Sequence, residues 1–73
     1  MHKIKINLIT LKDIHKFVNI VSQIQEQVIL TDGVGYTVNA KSIVGCIAAL
    51  EWSNLYVTSK ADIYTKISEF AVQ

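Results

Sequence analysis

The chain has 73 residues, 51% of them apolar, and a formal net charge of +1, which allows one small core, leaves no room for a second domain, and implies neither a basic face for nucleic acid nor an acidic tail. Its single cysteine, Cys46, excludes an internal disulfide and a zinc site built on cysteines, and suits a reducing cytoplasm. No segment approaches the ~20 apolar residues of a membrane span, and lysines and an asparagine interrupt the run from His2 to Ile9, so no signal peptide is expected and the protein reads as cytoplasmic.

The first element is a strand. Lys3-Ile4-Lys5-Ile6-Asn7-Leu8 alternates strictly, placing Ile4, Ile6 and Leu8 on one buried face. From Leu11 the spacing becomes helical: Leu11, Ile14, Phe17, Val18, Val21 and Ile24 form one stripe, with Thr10 as cap and Asp13 as the third residue beyond it. The β-branched and aromatic runs Gln27 to Thr31 and Tyr36 to Val38 flank Asp32-Gly33, which predicts a hairpin. A second helix follows within Asn39 to Leu50, then a strand over Asn54 to Ser59. A last helix over Ala61 to Val72 carries the stripe Ile63, Ile67, Phe70 and Ala71. The order βαββαβα predicts an α+β fold with one four-stranded sheet, antiparallel or mixed, and three helices on one face, a single domain over 1–73.

The second helix is unusually bare of charge. Ser42 stands where its hydroxyl would cap the helix, and a helix start with free backbone N–H groups tolerates a phosphate. Ile43, Val44 and Ile47 share one side of that helix. The chain has more aliphatic residues than one sheet face and three stripes can hide, so at least two of these three are expected to be exposed in one patch, a contact surface, the alternative being that Ile43 and Ile47 face the core. Gly45 would let a partner's backbone approach closely. Trp52, just beyond, would either close the core or join the patch.

The remaining polar candidates favour ordinary roles. Asp32-Gly33-Val34-Gly35 opens no helix and reads as a turn, not a phosphate cradle. Cys46 has no neighbouring base and reads as a small core residue. His15 lies off the apolar stripe beside Lys16, as a solvated histidine would. Neither His2 nor the six acidic residues show metal-ligand spacing, so no metal or cofactor is expected. The three tyrosines, Tyr36, Tyr56 and Tyr64, lack interleaved basic residues and form no base-stacking platform.

Two stretches, "FVNIVSQ" (Phe17 to Gln23) and "NAKSIVG" (Asn39 to Gly45), together with the element order, resemble the histidine-containing phosphocarrier protein, HPr, of the bacterial sugar phosphotransferase system. The resemblance covers nearly the whole chain. It implies an open-faced β-sandwich in which Ser42 is a regulatory phosphorylation site at the start of the second helix, and Ile43, Val44 and Ile47 dock onto protein partners. The family's phosphate-bearing motif, Gly-Leu-His-x-Arg-Pro, is not matched: Thr10 falls at the histidine, Lys12 at the arginine and Asp13 at the proline. The implied role is therefore a non-catalytic regulatory or adaptor protein, with phosphotransferase-system or transcription-regulator proteins as partners. Laying "DIHK" over the motif instead makes His15 the phosphoryl acceptor of an active carrier, although Phe17 and Val18 then replace the arginine and proline. A third reading is a small α+β interaction module unrelated to that family.

Overall fold

The computed structural model describes residues 2–72. Its elements are β1 (His2–Lys5), α1 (Leu11–Val21), β2 (Val28–Thr31), β3 (Thr37–Asn39), α2 (Ile43–Ala49), β4 (Tyr56–Ser59) and α3 (Tyr64–Ile67), with a 3₁₀ turn over Ser68–Phe70. The four strands form one antiparallel sheet in the order β1-β4-β2-β3. The α+β architecture and the βαββαβα order are those expected from periodicity.

Alternation sorts the two faces of the sheet. In the register that pairs Ile4 with Val57, Val57 with Leu30 and Leu30 with Val38, all four side chains share one face. Val28, Leu30 and Val57 on that face are fully buried under the helices. Ile29, Thr31, Tyr56 and Thr58 face the other way and stay half-exposed, so β2 and β4 read apolar-in and polar-out. Ser59 is the one buried polar side chain among the described residues. Its hydroxyl donates to the Gln27 carbonyl at 3.1 Å and accepts from the Ala61 N–H at 3.2 Å, which satisfies it.

Helix α1 lies centrally and packs on both α2 and α3. Ile14, Phe17 and Val21 are its fully buried residues, and Phe17 meets Phe70 edge-on with ring centroids 5.5 Å apart. The stripe ran to Ile24 in sequence, but the helix ends at Val21. Beyond it Gln23 and Ile24 donate to carbonyls three residues back, a tightened turn that still buries Ile24. Leu11 counted toward the stripe yet is exposed.

Two other expectations are corrected. The alternation from Lys3 to Leu8 holds for burial, with Ile6 and Leu8 in the core, but regular pairing stops at Lys5 and continues as one bridge from Ile6 to Ala71. That bridge also explains why the last helix is short. Val72 donates to the Lys5 carbonyl and Asn7 to that of Phe70, each at 2.9 Å. The chain must therefore be extended by Ala71 to cover the edge of β1, and only one turn of α-helix and one of 3₁₀ fit before it. Ile63, Ile67 and Phe70 are buried as their spacing predicts.

The Asp32-Gly33 turn is wider than a two-residue hairpin. One Asp32 carboxylate oxygen accepts from the N–H groups of Val34, Gly35 and Tyr36 at 2.9–3.1 Å, and Gly33 takes φ +87° where a Cβ would stand 3.0 Å from the Tyr56 ring. Only glycine fits there without strain.

Candidate docking surface and the start of the first helix

The start of α1 is built as a capping box. Thr10 is extended, its hydroxyl accepts from the Asp13 N–H at 3.1 Å, and the Asp13 carboxylate accepts from the N–H groups of Ile9 and Thr10 at 3.1 and 3.2 Å. Those N–H donors, led by that of Ile9, hold the Asp13 carboxyl below its ordinary value. Of the first-turn amides of α1, that of Asp13 is answered by the Thr10 hydroxyl, while the Asp13 carboxylate takes the two amides just before the helix and places a negative charge beside its start. His15, the alternative acceptor, lies in the second turn of α1 and not at its amino terminus, with an exposed side chain. Lys12, placed at the arginine of the resembled motif, is also exposed on the first turn.

At the start of α2, Ser42 is extended and its hydroxyl accepts from the Gly45 N–H at 3.1 Å. The cap read from sequence is present, with the third residue beyond Ser42 as the donor. The preceding turn is held by Asn39, whose side chain accepts from the Lys41 N–H at 2.9 Å and whose carbonyl accepts from the Ser42 N–H at 3.0 Å. The Lys41 ammonium donates to the Ile24 carbonyl, tying this turn to the end of α1.

Helix α2 has its large side chains outside and its small ones inside. Cys46 and Ala49 are its buried residues, while Ile43, Val44 and Ile47 are 38%, 78% and 43% exposed. The reason lies in the distance to β3: a Cβ on Gly45 would stand 3.2 Å from Val38 Cβ, so at Gly45 the helix lies so close to β3 that even a methyl group would be tight. The close approach that Gly45 permits is therefore internal, to β3, and not to a partner. Cys46 donates its S–H to the Ala40 carbonyl at 3.4 Å, and burial pushes its thiol up to about 11. That makes it an inert core residue.

Between α1 and α2 runs an open groove of about 670 Å³, lined by Lys12, His15, Lys16, Asn19 and Ser22 from α1 and by Ile43 from α2. It brings together two residues that the sequence offered for different roles, His15 and Ile43. The α1 residues recur at three and four, a polar stripe whose pairing with α2 no spacing within α1 reveals. Lys16 pairs with Glu69 at 2.8 Å and is held more firmly protonated by it. Among the described residues no group of His, Cys, Asp or Glu is placed to hold a metal.

Trp52, whose role was open, is half-buried against the core and stacks on Tyr36 with centroids 6.3 Å apart and planes at 27°. It belongs to the far end of α2, away from the Ser42 cap. Comparison with protein-family models, with curated proteins and with solved structures finds no match to this chain.

Proposed function

We propose that this chain is an HPr-like regulatory or adaptor protein that docks onto protein partners through α2 and takes no part in phosphoryl transfer. The observation that carries the reading is the inversion of α2: three aliphatic side chains, Ile43, Val44 and Ile47, turn outward on a helix whose inner side is filled by Gly45, Cys46 and Ala49. Clustered exposed aliphatics of this kind mark interaction surfaces. Lys12, His15 and Asn19 border them across the groove and would give a partner polar anchors around an apolar centre.

The resemblance to the phosphocarrier family supplies the class of partner, namely proteins of a phosphotransferase system or transcription regulators. It also supplies the role of Ser42 as the site where phosphorylation would change which partner docks. A phosphate there adds about −1.5 to −2 charges beside Ile43 and Val44. That charge raises the cost of covering the patch for one partner and favours another that offers arginine. The capping box at Thr10 and Asp13 argues against carrier chemistry, because a carboxylate occupies the helix start and a threonine hydroxyl is a poor nucleophile at neutral pH.

A second reading, an active carrier phosphorylated on His15, is kept by one observation: His15 is exposed in the groove with Lys12 and Lys16 beside it. One experiment separates the two. Incubation with phosphoenolpyruvate and the first enzyme of a phosphotransferase system leaves the mass unchanged if the chain is an adaptor. An acid-labile gain of one phosphate, abolished by His15→Ala, overturns the adaptor reading.

A further inference from the structure

The hairpin loop and the segment after α2 together make a second recessed surface that the docking patch does not use. Tyr36 and Trp52 stack there at 6.3 Å, and a hollow of about 300 Å³ beside them is lined also by Val34, Asp32 and Glu51. Val34 and Tyr36 remain 88% and 69% exposed, a high price in apolar exposure for a loop tip that needs only polar residues and glycine. Two carboxylates and no lysine or histidine line the hollow.

The geometry points to this hollow as a docking pocket for an arginine side chain of a partner protein, with the guanidinium lying against the Tyr36–Trp52 pair and paired to the carboxylate of Glu51. A planar guanidinium stacks on aromatic faces while its edge donates to a carboxylate, a combination that an ammonium cannot match. The sequence contains no arginine, so the occupant comes from another protein and not from a second copy of this chain. Asp32 adds negative potential without being free to move. Its carboxylate is fixed by three loop amides, with Val34 the strongest in holding it below its ordinary value. Glu51 is exposed and has no hydrogen bond or ion pair among the described side chains. The inference does not depend on the proposed function, since it uses neither the Ser42 patch nor the groove.

Trp52 is the only tryptophan, so its fluorescence reports directly on the pocket. The test titrates the full chain with the blocked tripeptide acetyl-Gly-Arg-Gly-amide, with its lysine and citrulline counterparts, and maps backbone amide shifts in parallel. Saturable binding of the arginine peptide is expected in the millimolar range, as befits one solvent-exposed side chain, with shifts centred on residues 32–36 and 51–54. Glu51→Gln should weaken it about two- to fivefold, and Tyr36→Ala by a similar factor. Both positions are exposed, so both variants should keep the wild-type circular dichroism. The proposal is overturned if the citrulline peptide binds as well as the arginine peptide, if lysine matches arginine, or if the shifts map elsewhere. It is equally overturned if the fluorescence changes with protein concentration alone, which would make a second copy the occupant.

Discussion

If α2 is inverted, substitutions on its two sides should separate sharply in stability. Val44 is 78% exposed, so about a fifth of its side chain is withdrawn from water. Full burial of a valine is worth about 1.5–3 kcal/mol, which makes Val44→Ser cost only about 0.5 kcal/mol. Ala49 is 1% exposed, one turn beyond Gly45 on the inner side of α2. Two methyl groups added at this buried position in Ala49→Val should cost about 1–3 kcal/mol through overpacking. In a domain of this size each kcal/mol moves Tm by about 4–8 °C, so Val44→Ser should lower it by only a few degrees and Ala49→Val by several times more. Urea unfolding followed by far-ultraviolet circular dichroism gives both values. A Val44→Ser loss above about 2 kcal/mol, with Ala49→Val neutral, would mean that α2 is rotated about its axis and that the outward aliphatics are core residues.

Ser42→Ala should lose about 1 kcal/mol, the usual consequence of removing an N-cap, whereas Ser42→Asp, which can accept the same Gly45 N–H, should stay close to wild type in urea unfolding. Protonating Asp13 breaks bonds that exist only in the folded chain. Because its folded value is depressed, its contribution is present above the unfolded value of 3.8 and is lost as pH falls through the lower folded one; the acid transition of Asp13→Asn should therefore be shallower than that of wild type. Gly33→Ala combines φ +87° with a Cβ 3.0 Å from the Tyr56 ring and should destabilise by about 1–3 kcal/mol, checked by thermal melting.

What the sequence revealed depended on whether a pattern was local. The capping box at Thr10 and Asp13 and the cap at Ser42 are contacts between residues three apart, and both were readable before any coordinates. The alternation of β1 and the stripe of α1 were equally plain. Where contacts between distant segments decided the outcome, the reading ran past the true ends. The last helix gave way to an extended Ala71 because the edge of β1 needed a partner, and no periodicity within Ala61 to Val72 carries that demand. The outward turn of Ile43, Val44 and Ile47 was legible only as a surplus of aliphatics. Its cause, the closeness of β3 at Gly45, is tertiary. The groove joining His15 to Ile43 could not be read from either helix alone, since it depends on how α1 and α2 cross.

The amino terminus of α1 carries the strongest physical case for a protein that docks without transferring phosphate. A helix leaves its first backbone N–H groups unpaired, and something must answer them: water, a ligand or a side chain. A site that binds a transient phosphoryl group has to keep those donors accessible. Here the Thr10 hydroxyl closes one of them, that of Asp13, and the Asp13 carboxylate, held by the Ile9 and Thr10 amides just before the helix, brings a permanent negative charge beside the place where a dianion would arrive. Like charge repels an incoming dianion there, and Lys12 and Lys16, the latter near enough to help hold the Asp13 carboxyl down, offset only part of that repulsion. The arrangement that makes α1 begin cleanly therefore disfavours an anion through its charge. By contrast Ser42, capping a helix with no acidic residue in its first turn, leaves its neighbourhood open to added charge. At both helix starts a hydroxyl satisfies the amide of the third residue beyond the cap, and what separates them is the charge that Asp13 adds at α1 and that no residue adds in the first turn of α2.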